Sequence, residues 1–201
     1  FAHDGLMLYE TDAIIRYVDE VAPGPSLVPG DARGRARMSQ LIGINNSYGY
    51  PSIILKLFWQ RAIVPMMGGQ PDETIVQDSL PRVALCLAEA ERIMGGNAWL
   101  AGPEVSLADL MWGPVVAYLT TTPEAQALMA ARPGLSRWWR AMPRPVEALP
   151  CGSASTNSTR SPTAAKAAAR LIAVVVLPTP PFWFAIAMVC KKPLSGEFVA
   201  R

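Results

Sequence analysis

The stretch GLMLYETDAIIRYVDE, residues 5–20, places an acidic, hydroxyl-bearing corner between two different patterns. Leu6-Met7-Leu8-Tyr9 reads as a short strand after the turn-forming His3-Asp4-Gly5, with Phe1-Ala2 as the end of a partner strand. From Thr11 onward the apolar residues Ala13, Ile14, Tyr17 and Val18 fall at helical spacing, which makes Thr11 the expected N-cap. A helix start presents unpaired backbone N–H groups and a partial positive charge, so it suits small anions such as carboxylates. The Thr11 hydroxyl can add a hydrogen bond to such an anion, and Glu10 can accept from an ammonium group. Together they could hold both halves of a zwitterionic amino-acid head group. The same residues also fit a structural role, with Thr11 capping the helix and Glu10 complementing its dipole.

Outward from this corner, Ala22-Pro-Gly-Pro-Ser-Leu-Val-Pro-Gly ends the helix as a stiff connector. Everything after it reads as helical. Asp31 is placed to cap a long helix through Arg33, Arg35, Arg37, Leu41, Ile42 and Ile44, with a kink expected at Tyr50-Pro51. A second apolar run covers Ile53 to Val64. Pro71-Asp72-Glu73 opens another helix that reaches Ile93 and stops at Gly95-Gly96. Ser106-Leu-Ala-Asp109 has the form of a capping box, with Val105 and Leu110 as its hydrophobic staple. Pro123 and Pro133 punctuate two short helices, the last holding Trp138 and Trp139.

The charge is divided unevenly. Residues 1–150 are net acidic, whereas residues 151–201 carry six basic side chains against Glu197 alone. Residues 151–170 are rich in Ser, Thr, Ala and basic residues without an apolar period. The uncharged run Leu171–Val189 has the length of a membrane span, but Pro178, Pro180 and Pro181 in its middle argue against one. A low-order tail over 150–201 is expected, and its composition has the character of coding DNA read out of frame.

Several chemistries are excluded by composition. A single histidine, His3, leaves no His-rich metal site and little scope for a Ser-His-Asp triad, and in a turn it reads as a solvated loop residue. No glycine-rich phosphate loop occurs. Arg33, Arg35 and Arg37 lack interleaved aromatics and read as a solvated face, not a nucleic-acid patch. The cysteines Cys86, Cys151 and Cys190 have no metal-type spacing, and their odd number fits a reducing cytoplasm; Cys86 reads as core.

Strand, Glu10-Thr11-x-Ala13-Ile14-x-x-Tyr17-Val18, Pro-rich connector and helical remainder together resemble the glutathione S-transferase family. The usual corner of that family is Glu/Gln-Ser-x-Ala-Ile-x-x-Tyr-Leu, so Thr11 replaces Ser and keeps the hydroxyl. Ser106-Leu-Ala-Asp109-Leu110 is similar to the capping box of its helical domain, and Pro133-x-Leu135-x-x-Trp138 with Arg144-Pro145 is similar to its last helix. The resemblance runs from residue 1 to about residue 149.

The resemblance implies a mainly α fold. Residues 1–21 would be the remnant of a thioredoxin-like α/β domain, 22–31 a linker and 32–149 an all-helical domain. It also implies glutathione as co-substrate, no metal, a small hydrophobic electrophile, a cytoplasmic homodimer, and no nucleic-acid partner. Glu10 and Thr11 would hold the γ-glutamyl group, and Ser106 and Asp109 would be structural. Tyr48, Tyr50 and Trp59 on the kinked helix, with Trp112, would wall the electrophile pocket; each also fits plain core. The family begins with a strand-helix-strand unit that carries a Tyr, Ser or Cys to activate the thiol, and a cis-proline. No such unit precedes Phe1, so the catalytic residue is unknown and negligible conjugating activity is expected of these 201 residues. The alternatives are a non-catalytic dimerisation or protein-binding module, and glutathione-dependent isomerisation, dehalogenation or disulfide reduction on the same fold.

Overall fold

The computed structural model describes residues 1–143 and two short strands, Ala173–Val175 and Ala185–Ala187. The chain divides into a pair of compact units, the first holding Phe1–Ser26 and the second Leu27–Met142.

In the first unit β1 (Ala2–His3) pairs antiparallel with β2 (Leu6–Met7), in the register Ala2↔Met7 and His3↔Leu6. Asp4 and Gly5 turn the chain with φ of 46° and 81°. Two left-handed residues in succession suit the twist of a tight hairpin, and Asp-Gly is a favoured pair for it. The helix α1 (Thr11–Val21) follows and buries Ile15 and Val18. Two expectations are corrected here. Thr11 is the first helical residue and Glu10 occupies the cap position, at φ 70° and ψ 119° with no side-chain cap bond. His3 is buried, not solvated: it is paired in the hairpin, and its Nδ1 lies 2.8 Å from the Tyr17 hydroxyl.

The second unit is all helical. Asp31 caps α2 (Ala32–Ile44) by accepting from the Gly34 N–H at 2.9 Å, and that bond holds its carboxyl below the usual range. The helix does not stop at Ile44. It continues through a π-helical turn (Asn45–Gly49), α3 (Tyr50–Ser52), a longer π-helical stretch (Ile53–Ile63) and α4 (Val64–Met66). The junction residues all keep right-handed helical torsions, so residues 32–66 form one rod. The expected break at Tyr50-Pro51 thus appears as widened turns on both sides of a proline that has no N–H to give. Ser52 Oγ donates to the Tyr48 carbonyl at 2.7 Å.

Helix α5 (Glu73–Met94) lies against the rod. Asp72 caps it by accepting from the N–H groups of Thr74 and Ile75, and Gly95 ends it at φ 58°, a torsion that disfavours a side chain. Helix α6 (Leu107–Leu119) starts at Ser106 and is nearly all apolar. The connector docks on it, since the Leu107 N–H donates to the Leu27 carbonyl at 3.2 Å. The short α7 (Ala125–Ala130) and α8 (Pro133–Ala141) complete the unit. Its core is built on Leu41, Ile53, Leu57, Leu87, Leu119 and Trp138, all at most 1% exposed. At about 25 cal/mol per Å² of apolar surface, such burial is the main term holding the helices together.

Beyond residue 143, β3 (Ala173–Val175) pairs antiparallel with β4 (Ala185–Ala187). The expectations of a low-order, out-of-frame tail and of the Arg144-Pro145 motif otherwise lie outside the described residues. Among those described, no helix is long and apolar enough to cross a membrane.

Candidate functional site

The Glu10–Thr11 corner is made by a change of element within one residue. Leu8 closes the hairpin, its N–H donating to the Phe1 carbonyl at 2.9 Å. Two residues later the Glu10 carbonyl accepts the first helical bond, from Ile14 N–H at 3.0 Å. The reversal between them is taken up by the positive φ of Glu10. A side chain in such a torsion costs on the order of 1–3 kcal/mol, and strain of this kind clusters at ligand sites. Glu10 and Thr11 are both exposed. Glu10 makes no side-chain cap bond, so it leaves the first N–H groups of α1 uncapped. Asp12 does not compete for them, because it is bonded to Arg16 Nε at 2.9 Å one turn along. The corner therefore presents an acceptor carboxylate, a hydroxyl and a bare helix start side by side.

In the second unit the four aromatic candidates fall in different surroundings. Tyr48 is 50% exposed, with the Arg82 guanidinium of α5 6.0 Å from its ring centre. Tyr50 is partly buried and lies near Tyr118 of α6, whose phenol is pushed up first by burial and then by the Tyr50 charge. Tyr118 also packs on Phe58 of the rod, ring centres 4.6 Å apart. Trp59 is partly buried. Trp112 is the exception: it is fully buried, and its Nε1 donates to the Leu41 carbonyl at 2.9 Å. That placement ties α6 to the rod and gives Trp112 a core role instead of a pocket surface. The structure thus groups Tyr50 with Phe58 and Tyr118 and sets Tyr48 beside α5. Phe58 and Tyr118 escaped sequence reasoning because their meeting is tertiary and leaves no local pattern.

Ser106 and Asp109 form the expected capping box. Oδ2 of Asp109 accepts from both the N–H and the hydroxyl of Ser106 at 2.8 Å, and Oδ1 accepts from Leu100 N–H at 2.9 Å and Trp138 Nε1 at 2.7 Å. Burial pushes the Asp109 carboxyl up, while these four bonds work to keep it ionised. Elsewhere Arg61 of the rod joins Glu73 of α5 to Glu124 ahead of α7, and the two carboxylates hold its guanidinium firmly charged. Cys86 is buried, and burial raises its thiol, so it is a poor nucleophile. No group of three or more potential metal ligands occurs among the described residues.

Residues 73–141 match the family described as glutathione S-transferase, C-terminal domain. Glutathione S-transferase 3 of Zea mays is 29% identical over 138 residues, covering 68% of this chain and 61% of that protein. The chain spans less than two thirds of the length of such curated relatives. Among solved structures, glutathione transferase F7 from Populus trichocarpa superposes with a TM-score of 0.61 at 29% identity, covering 70% of this chain and 66% of that one. Glutathione S-transferase-I, solved bound with lactoylglutathione, gives a TM-score of 0.63 at 28% identity, over 71% of this chain and 68% of that one.

Proposed function

This chain is related to the glutathione S-transferases, and from that premise we propose that it carries both a head-group site and an electrophile wall of a glutathione-dependent transferase. Glu10 and Thr11 hold the γ-glutamyl end of glutathione. The Glu10 carboxylate accepts from the α-ammonium, while the Thr11 hydroxyl and the first N–H groups of α1 bind the α-carboxylate. The observation that carries this reading is the strained, exposed torsion of Glu10 at a helix start that no side chain caps.

The electrophile rests against the rod, with Tyr50 and Trp59 as apolar walls and Tyr48 at their edge. Conjugation requires a thiolate, and among the described residues neither buried Cys86 nor the 82% exposed Tyr9 is placed to generate one. The corner is therefore expected to capture glutathione, in a cytoplasmic homodimer, with no thiol-activating group among the described residues. The exposed apolar side chains Leu55 and Leu85 on the rod and α5 support the pairing of two copies.

Retention on immobilised glutathione tests the site. The wild-type chain should be retained, and Thr11→Val and Glu10→Ala should each lose most of that retention. A wild-type chain that washes through would sink the reading and leave a dimerisation or protein-binding module.

A further inference from the structure

We propose that His3 and Tyr17 form a brace that holds the strained joint at Glu10, making both of them positioning residues for the head-group corner. The inference rests on the reading of Glu10 and Thr11 given above. A residue in a sparsely populated torsion stays there only when its surroundings over-determine it. The joint itself receives little packing, since Tyr9 is 82% exposed and Glu10 is exposed as well. Its torsion must then follow from how the hairpin sits on α1.

On the hairpin side, Phe1 and Leu8 exchange hydrogen bonds, the Phe1 nitrogen donating to the Leu8 carbonyl at 3.1 Å and the Leu8 N–H to the Phe1 carbonyl at 2.9 Å. On the helix side, Ile14 N–H engages the Glu10 carbonyl. Between these two blocks runs the 2.8 Å contact of His3 Nδ1 with the Tyr17 hydroxyl, buried on the histidine side at 8% exposure. The rings meet edge to face at 5.8 Å, and the Phe1 ring meets Tyr17 at 6.0 Å.

The chemistry of the contact follows from Asp4, whose Oδ2 lies 3.6 Å from His3 Nε2. A carboxylate on that side favours the tautomer with its proton on Nε2, so Nδ1 accepts and the Tyr17 hydroxyl donates. The bond joins residue 3 of the hairpin to the second turn of α1, across the joint at residue 10. Losing it leaves both elements folded and frees their relative angle.

The test uses the full chain, glutathione as the probe, calorimetric affinity, and amide exchange followed by NMR. Tyr17→Phe keeps the ring and removes the donor. It should weaken glutathione about three- to tenfold, in line with one net hydrogen bond, and speed exchange at Ile14 while leaving α5 unchanged. His3→Leu should do the same. His3→Asn, which offers an oxygen where Nδ1 stood, should restore most of the affinity, and the double variant His3→Leu/Tyr17→Phe should be no weaker than either single one. A Tyr17→Phe chain that binds glutathione like the wild type overturns the positioning role, even if Ile14 exchanges faster. A wild-type chain that binds no glutathione overturns it together with the reading of the corner, and the exchange measurement then separates the two failures by reporting on the brace alone.

Discussion

Trp138 donates its indole N–H to Oδ1 of Asp109 at 2.7 Å, with both side chains almost wholly buried, so the last described helix is anchored to the start of α6 through one carboxylate. That carboxylate also receives Leu100 and Ser106, so it joins the turn ahead of α6 to α8, 29 residues further along the chain. Asp109→Ala would strand four buried donors and should destabilise the second unit by about 3 kcal/mol or more, read by urea unfolding. Asp109→Asn keeps an acceptor for Trp138 but turns an amide donor toward Ser106, so it should fall between the wild type and Asp109→Ala.

A second anchor holds α8 from another direction. Oε1 of Glu91, on α5, accepts from the Gly134 N–H at 2.6 Å and from Leu135 N–H at 3.3 Å, while Arg132 at the cap position gives the helix no side-chain cap bond. Glu91 therefore caps a helix to which it does not belong. Glu91→Ala should cost about 1–2 kcal/mol in urea unfolding and Glu91→Gln distinctly less, because the amide oxygen can still accept.

The acid limb of stability has a sign that can be worked out. Arg61 holds the Glu73 carboxyl below its usual range, and the Gly34 N–H does the same for Asp31. In the unfolded chain both groups bind protons at a higher pH than in the folded one. Their stabilising contribution is thus present above the ordinary carboxylate pKa of about 4 and is lost as pH falls through their lowered values. Asp109 runs the other way, since burial raises its pKa and stability from that group falls as pH rises through the raised value. The melting-temperature gap between wild type and Glu73→Gln should be flat from neutral pH down to about 5 and close below the carboxylate range.

Tyr118 provides an optical check on the rod–α6 contact. Its phenol is raised by burial and, secondarily, by Tyr50. In a spectrophotometric titration Tyr118 should ionise above the ordinary tyrosine range. Tyr50→Phe should bring it some of the way back toward the usual value, leaving the larger effect of burial in place. An unchanged titration in that variant would mean that the two rings do not interact.

The features of this fold that local chemistry specifies were legible in the sequence. Asp31, Asp72, Ser106 and Gly95 mark helix ends because capping acts within a few residues, and each one is found where the pattern put it. The Glu10–Thr11 corner was legible as a joint, though the cap fell one residue earlier, since the reversal from hairpin to helix is absorbed at Glu10. What could not be read was tertiary. Glu91 caps a helix 43 residues away, and His3 turned out to be buried because Tyr17 returns to it across 14 residues. Pro51 announced a disturbance, and its form as π-helical turns on both sides had no signal of its own in the sequence.

The torsion at Glu10 bears on which residue suits that position. Glycine adopts a positive φ without strain, so Glu10→Gly is the change that would most directly relax the joint. The same change removes the carboxylate proposed to meet the ligand's ammonium. At position 10 the backbone favours glycine and the proposed ligand contact favours a carboxylate, so Glu10→Gly should firm the joint while giving up the head-group contact.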